Sequence, residues 1–288
     1  MSTGTRGFIT MAAGSTRYLE MAVDMSLSLQ PHTTWPMALI ADEAVAVVAR
    51  EHYRDVFAEI RLLGDDFAEG RARKYGVAEA TPWDETVFVD ADCVVLGSLE
   101  HMWQSLESHD MAFLGELLTT DDNENHHGFS TRRLMRRFGL DRYLKTNSGL
   151  FCFRREPAIE IMRECLDCFV NEARPALRGS LLRGAWLGDE IAIGIVGGRR
   201  RLGTLPKPAE MYWPGEFEGI DLDTPTKPLL HMIWPVPDAT FARMCSDAEE
   251  RRRTAGVRSV GSGHWQVEQD GVAKMARRRR LLERFRIW

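Results

Sequence analysis

The sequence predicts an α/β fold, a mostly parallel sheet with helices on both faces, followed by a basic helical tail. Three observations lead there. Short apolar runs alternate with stretches of helical period along the first half of the chain. Two aspartates, Asp90 and Asp92, stand where one of those runs, "ETVFVDAD", gives way to a loop. The last seventeen residues, "VAKMARRRRLLERFRIW", gather cations on a segment of helical spacing.

The elements follow in order. "GFITMAAG" reads as a short apolar strand entering a glycine turn. "TRYLEMAVDMSLSL" then carries Leu19, Ala22, Val23, Ser26 and Leu27 on one side of a helix. "PMALIADE" is a second strand, "EAVAVVAREHYRDVF" a helix, and "EIRLL" a third strand. A helical segment near "GRARKYGVAEA" precedes the strand that ends at Asp90. Strands alternating with helices imply a parallel sheet covered on both faces. "EPAIEIMRECLDCFVNEARP" is an amphipathic helix, which makes Cys165 and Cys168 neighbours on one helical face rather than a redox or zinc pair. The expected division is an α/β domain over 1–240 and a helical extension over 241–288 that ends in the basic amphipathic tail.

Composition narrows the classes. With 288 residues, 44% hydrophobic and 27% charged, the chain can bury a sizeable core. Its net charge of −5 is uneven: residues 272–288 carry a local +6, which leaves −11 on the remainder. No 18-residue apolar run exists, so no membrane span is expected. The start has only a short apolar run before Glu20 and Asp24, which does not read as a secretory leader. Five cysteines, an odd number, argue against a disulfide framework and for a reduced, cytoplasmic protein.

Ligands of open parallel sheets bind beyond the carboxyl ends of the strands. Asp90 and Asp92 lie at such an end, as does the turn "AAGSTR", and a nucleotide suits that place. The turn lacks the G-x-G-x-x-G fingerprint, and the chain has no G-x-x-x-x-G-K-[ST], which removes support for hydride transfer and for a P-loop. Two carboxylates one residue apart, flanked by apolar residues, are the donor set of a hard divalent cation that also takes substrate phosphates. Taken alone, an Asp-x-Asp is equally a solvated turn.

In its setting, "FVDADCVVLGSLEHMW" resembles the DxD segment of GT-A glycosyltransferases, glycosyltransferase family 8 above all. The similarity runs from about residue 7 to 235 and keeps the family's motif order. "FITMAAGSTRYLEMAVDMSLSL" is similar to its first strand and helix, which assigns Ala12, Ala13 and Gly14 to the nucleotide turn and Tyr18 to stacking on uracil. Lys74, sixteen residues before Asp90, matches a basic residue that reaches donor sugar and phosphate. "TNSGLFCF" resembles the family's N-S-G segment, with Asn147 and Ser148 against the sugar. "LGDEIAIG" resembles its acidic segment, which puts Asp189 on sugar hydroxyls and Glu190 beside the anomeric carbon. "KPLLHMIWP" resembles the late motif whose histidine, here His231, joins Asp90 and Asp92 on the metal, while Ala91 lies between them at the donor.

The resemblance thus implies a GT-A fold, a UDP-sugar donor, Mn²⁺ or Mg²⁺ at Asp90, Asp92 and His231, and retention at the anomeric carbon. Two departures stand out. Glu190 replaces the usual glutamine, and Trp234 and Pro237 stand where a glycine and a diphosphate-binding lysine are expected, so that Arg243 or a tail arginine becomes the candidate clamp. Residue by residue, plainer readings accompany the chemical ones. Asp189 and Glu190 are favoured at any helix start, Lys74 is one of several helix cations, and Tyr212 and Trp213 serve as acceptor platforms or as core. "TTDDNENHHGF" reads as a mobile loop near the acceptor, its two histidines solvated. The competing functions are a nucleotidyltransferase making NDP-sugars, for which "AAGSTR" is a poor signature, a glycosyltransferase acting on modified nucleic acid, and a non-catalytic module. The expected acceptor is a glycan or lipid-linked glycan. The tail, with Met275, Leu281, Leu282, Phe285 and Trp288 toward one side, reads first as a peripheral contact with the inner face of a membrane, next as packing on its own body or a homo-oligomeric neighbour, and third as a nucleic-acid contact.

Overall fold

The computed structural model describes residues 5–67, 70–181, 187–205 and 210–284. The chain begins with β1 (Arg6–Ala12), α1 (Thr16–Leu29), β2 (Met37–Ala41), α2 (Glu43–His52) and β3 (Glu59–Leu62). Next come α3 (Val77–Ala80), β4 (Glu85–Val89), β5 (Cys93–Val95) and β6 (Met111–Thr119). A hairpin of β7 (Asn125–His126) and β8 (Phe129–Ser130) leads to α4 (Thr131–Phe138) and the long β9 (Arg142–Arg154). The helices α5 (Arg155–Asp167), α6 (Arg174–Leu181) and α7 (Asp189–Arg200) follow, then β10 (Gly203–Leu205), β11 (Leu229–His231), α8 (Asp238–Ala255) and α9 (His264–Arg284).

Seven strands form one sheet in the order β10-β6-β9-β4-β1-β2-β3. All run parallel except β9, which enters antiparallel between β4 and β6. Two hydrophobic clusters, one on each face, bury it, and the strands accordingly read as continuous apolar runs. The helix starts follow local chemistry: Ser15 caps α1 by accepting from the Arg17 N–H, and Asp42 caps α2 by accepting from Val45. Across β4, β9 and β6 an aromatic row fixes the pairing. Phe151 stacks on Phe88 at 4.7 Å and on Phe113 at 4.8 Å, contacts that contribute about 0.5–1.5 kcal/mol each beyond their burial.

Position 149 is where that regularity breaks. Phe113 of β6 pairs with Phe151, but its neighbour Leu114 pairs with Asn147, so Ser148, Gly149 and Leu150 bulge out of the β6 ladder. Bulges re-aim side chains and sit beside functional sites. Here the bulge lies next to the end of β4, where the Asp90 N–H donates to the Gly149 carbonyl at 2.9 Å.

α1 departs from its expected one-sided burial. Every residue from Leu19 to Leu29 is buried, the charged Glu20 and Asp24 included, because α8 and α9 cover the side opposite the sheet. The two acids are matched from the covering helices. Arg252 pairs with both, His264 Nε2 lies 2.7 Å from Asp24, and Trp265 Nε1–H donates to Asp24 at 2.8 Å. Tyr53 also donates to Glu20.

The tail helix α9 packs on its own body through Trp265, Gln269, Val272 and Ala276, spaced four, three and four residues apart. Met275 and Leu281, which the sequence places on the apolar face, are instead 56% and 55% exposed. The helix turns a different stripe inward because Trp265 and Gln269, upstream of the residues considered from sequence, set its rotation. Phe285 and Trp288 lie outside the described residues. Among those described, no helix is long and apolar enough to cross a membrane. Cys165 and Cys168 are buried and unbridged, as their helical spacing predicts.

The α1–α8–α9 charge cluster has a pH signature. Burial pushes the Asp24 carboxyl up, but the His264 hydrogen bond and Arg252 together outweigh it and hold the group below its ordinary value of 3.8. A depressed carboxyl stabilises the fold fully above its unfolded pKa, and that contribution is lost as pH falls from there through the folded value. Asp24→Asn should cost about 3–5 kcal/mol near neutral pH, the range for breaking a buried pair. In thermal melts, the gap in Tm between wild type and variant should be constant above about pH 5 and shrink as pH drops below 3.8. A gap that stays constant down to pH 3 would remove Asp24 from the acid-labile set.

Candidate active site

The turn after β1 opens the site. Gly14 sits at φ +81°, a left-handed conformation that favours glycine, and its N–H donates to Asp42. A side chain at position 14 would meet the Arg73 guanidinium, with Nη1 2.5 Å from the added Cβ. Ala12 and Ala13 are buried beside the turn. Tyr18, in the first turn of α1, is 38% exposed, and the Arg17 guanidinium lies 4.5 Å over its ring.

Asp90 and Asp92 extend from β4, with the buried Ala91 between them, and β5 follows at once. β11 pairs antiparallel with β5 so that His231 stands opposite Cys93, and the Met232 N–H donates to the Asp92 carbonyl at 3.0 Å. This short ladder delivers the histidine: its Nε2 lies 3.2 Å from Asp92 Oδ1 and 3.9 Å from Asp90 Oδ2. The imidazole rests against the β9 bulge, where a Cβ on Gly149 would fall 2.3 Å from its Cε1. Glycine is therefore required there by close approach.

Lys74, on the 3₁₀ segment Gly70–Gly76, ties three parts together. Its Nζ reaches Asp90 Oδ2 at 2.8 Å, the Ser148 carbonyl at 3.2 Å, the Ser148 hydroxyl at 3.1 Å and Asp189 Oδ2 at 3.8 Å. Asp189 and Glu190 open α7, after Gly188 at the N-cap, where unpaired N–H groups favour negative charge. The Ser148 hydroxyl donates to Asp189 at 2.8 Å, and its backbone N–H donates to Glu190 Oε1 at 2.9 Å. Asn147 Oδ1 accepts from the Gly149 N–H at 3.0 Å, which closes the bulge on itself. The structure thus gathers Lys74, Asp90, Asp92, Asn147, Ser148, Asp189, Glu190 and His231 in one cleft.

The histidine loop differs from its sequence reading. Residues 125–130 form a hairpin, with His127 at φ +54° and Gly128 at φ +89° as its two-residue turn. His126 is buried at 5% exposure, and its Nδ1 lies 2.7 Å from the Tyr143 hydroxyl. Both imidazoles meet Glu190: His126 Nε2 lies 3.3 Å from Oε2, and His127 Nε2 contacts the same oxygen. Sequence reasoning missed this pair because a polar, aperiodic stretch carries no sign of a buried partner. The one available signal was His-Gly at a site where a two-residue hairpin turn needs positive φ.

Two other readings meet the structure. Arg243 is exposed and its guanidinium pairs with Asp223 and Asp247. Tyr212 is a core residue rather than an acceptor platform: its ring is buried and its hydroxyl accepts from the Thr226 N–H at 2.7 Å.

Electrostatics divide the carboxylates. Burial pushes Asp90 up despite Lys74 beside it, and Asp92 adds to the rise. Burial also opposes ionisation of Asp92, but His231 outweighs it and holds the group low, while the same pairing raises His231 against its own desolvation. Glu190 follows the pattern more strongly, its burial overcome by hydrogen bonds from His126 and His127 that hold it well below the carboxylate range. Desolvation lowers His126. Burial and the two aspartates push the Cys93 thiol well up, so it stays protonated and is a poor metal ligand although it lies within reach of Asp92 and His231. His231 Nε2 and Asp92 Oδ1, 3.2 Å apart, stand close to the roughly 3.0 Å edge of an octahedron with bonds near 2.1 Å, and Asp90 Oδ2 lies 3.9 Å from the same nitrogen. As ligands of such an ion, two carboxylates and one imidazole would leave positions for phosphate oxygens.

The bulge makes this testable. Gly149→Ala should displace the His231 ring while leaving the sheet folded, and should weaken Mn²⁺ binding about 10–100-fold, the range for losing a supporting contact. Calorimetric titration with Mn²⁺ alone, beside a circular dichroism spectrum, reads both. Unchanged affinity would mean that His231 does not bind the ion.

No family model and no curated protein sequence matches the chain. Solved structures do. The galactosyltransferase LgtC in complex with donor and acceptor sugar analogues superposes with a TM-score of 0.53 at 16% identity, over 91% of this chain and 99% of that one. An active-site glutamine-to-glutamate mutant of LgtC gives 0.54 at 14% identity with the same coverage. The apo-form glycosyltransferase GlyE of Streptococcus pneumoniae TIGR4 gives 0.53 at 13% identity, over 93% of this chain and 62% of that one. The chain has the GT-A fold that these glycosyltransferase structures share.

Proposed function

We propose that the protein is a metal-dependent glycosyltransferase that moves a sugar from a UDP-sugar to an acceptor hydroxyl with retention at the anomeric carbon. The observation that carries this reading is the convergence of Asp90, Asp92 and His231 with Lys74, Ser148, Asp189 and Glu190 at the carboxyl ends of the strands. Asp90, Asp92 and His231 would hold Mn²⁺ or Mg²⁺, which as a Lewis acid offsets charge on a departing nucleoside diphosphate. Ala12, Ala13, Gly14 and Tyr18 border the nucleotide, and Ala91 spaces the two ligands. Lys74 brings a fixed positive charge to the phosphates; burial opposes that charge, but Asp90 and Asp189 outweigh it and raise the ammonium. Asp189 and Asn147 orient the sugar.

In the transfer, the bond from the anomeric carbon to the diphosphate oxygen breaks and a bond to the acceptor oxygen forms. The acceptor proton passes to the diphosphate. Glu190 stands beside the reacting carbon as an ionised carboxylate. Both of its oxygens are engaged, Oε1 by the Ser148 N–H and Oε2 by the imidazoles, which favours stabilising positive charge on the sugar over covalent attack. The acceptor is a glycan or lipid-linked glycan, and the protein works in the cytoplasm. Its α9 cations, with Met275 and Leu281 exposed among them, contact the inner face of an anionic membrane.

Three outcomes test this reading. Asp92→Asn should fold normally and lose nearly all transfer and donor hydrolysis in Mn²⁺, and EDTA should silence the wild type. Full activity in either case removes the metal assignment. Glu190→Gln should retain substantial transfer with a retained product, by mass spectrometry and anomeric NMR. Complete inactivity together with a glycosylated peptide at position 190 would establish the covalent route. Liposome flotation should recover the wild type with anionic but not neutral vesicles, and Met275→Ser/Leu281→Ser should weaken that recovery. Equal recovery with both vesicle types would remove the membrane contact.

A further inference from the structure

We propose that His126, His127 and Glu190 form a second metal site, one for zinc, separate from the hard-cation site at Asp90, Asp92 and His231. Two imidazole nitrogens and a carboxylate oxygen converge within 4.8 Å of one another. Two histidines and a glutamate are a donor set of four-coordinate zinc. With zinc bonds of about 2.0–2.1 Å, ligand atoms of a tetrahedron lie roughly 3.3 Å apart. His126 Nε2 and Glu190 Oε2 already stand at 3.3 Å.

Neighbouring residues of a strand point to opposite faces, so adjacent histidines do not ordinarily share a ligand. The hairpin turn removes that obstacle. With His127 at φ +54° the two rings stack at 4.6 Å with 28° between their planes, and both Nε2 atoms face Glu190. The outer contacts of a metal site are also present. Tyr143 holds His126 Nδ1 at 2.7 Å and thereby directs Nε2 to the carboxylate. Tyr143 is itself seated against Gly194, where a Cβ would fall 2.4 Å from Cζ. Ser148 N–H occupies Glu190 Oε1 and leaves Oε2 to the cluster. Three protein ligands leave a fourth position for water.

Without an ion, the imidazole N–H groups donate to Oε2, and His126 Nε2 also reaches the Thr146 carbonyl at 3.1 Å. Zinc would take the place of those Nε2 protons: a neutral imidazole carries its proton on Nδ1 instead, where His126 can donate to the Tyr143 hydroxyl, and only an imidazolium releases a proton to solvent. The donor sets separate the two sites: carboxylate-rich coordination suits Mn²⁺ and Mg²⁺, and the nitrogen-rich cluster suits zinc. On the glycosyltransferase reading, zinc here occupies the carboxylate nearest the reacting carbon, so it should inhibit transfer that Mn²⁺ supports.

Zinc counting tests the site without any donor sugar. Equilibrium dialysis followed by elemental analysis should find two zinc ions on the wild type and one on Asp90→Asn/Asp92→Asn. Adding His127→Ala to that background should lower the affinity of the remaining site at least ~100-fold, beyond the 10–100-fold that loss of an outer contact brings. Glu190→Gln, which preserves shape, should do the same. Cobalt in the aspartate-free background should give the intense visible bands of tetrahedral coordination. A background protein that binds no zinc overturns the proposal, as does zinc that survives both His127→Ala and Glu190→Gln. Failure of sugar transfer with the zinc count as expected would instead overturn the glycosyltransferase reading and leave this site standing.

Discussion

Four carboxylates, Asp90, Asp92, Asp189 and Glu190, are drawn into one partly buried cleft, and holding their charge together is the constraint that orders the rest. Like charges out of water repel strongly and raise one another's pKa. Each meets a basic side chain from elsewhere in the chain. Lys74 bridges Asp90 and Asp189, His231 sits on Asp92, and His126 and His127 meet on Glu190. The balance is incomplete, since Asp90 is still pushed up by burial and by Asp92. A divalent cation would complete it.

Bringing these groups together depends on backbone more than on side chains. β9 runs against its parallel neighbours and breaks its ladder at Ser148–Leu150, which turns Ser148 toward Lys74, Asp189 and Glu190 at once. Gly149 lets the His231 ring lie against that bulge, and the β5–β11 ladder sets the ring's height above Asp92. Gly194 and Gly198 let α7 approach β9 closely, with would-be Cβ atoms 2.4 Å from Tyr143 Cζ and 2.3 Å from the Arg142 carbonyl. That closeness puts the start of α7, with Asp189 and Glu190, over the bulge.

Much of this was legible in the sequence, for physical reasons. Strands buried on both faces are continuous apolar runs, so β1, β2 and β4 stand out, and two charges at the end of such a run cannot be packing. Lys74 and His231 were placed by their order in a family pattern rather than by anything local, and the structure brings both to Asp90 and Asp92. What periodicity could not show was pairing between distant polar groups. Glu20 and Asp24 look like the wet side of α1 until α8 and α9 supply Arg252 and His264. His126 looks like a loop residue until β9 supplies Tyr143 and α7 supplies Glu190.

The last departure from the family pattern, Trp234 and Pro237 in place of a glycine and a lysine, also finds its account in the tail. Gln269 of α9 accepts from the Val236 N–H at 3.1 Å and donates to its carbonyl at 2.6 Å, so it pairs with the backbone as a strand would. Arg280 lies 5.9 Å over the Trp234 ring. The segment after His231 is thus fastened to α9, and Trp234 supplies an aromatic face for that attachment. Farther up the helix, Glu268 pairs with Arg17 at 2.7 Å, beside the Tyr18 ring. Burial raises the Glu268 carboxyl, and Asp92 adds to the rise. In this chain the stretch where the family pattern has a lysine anchors a helix instead, and that helix brings Glu268 to Arg17 just after the turn that follows β1. The C-terminal extension is therefore fastened at two places, to the segment after His231 through Gln269 and to the first turn of α1 through Glu268.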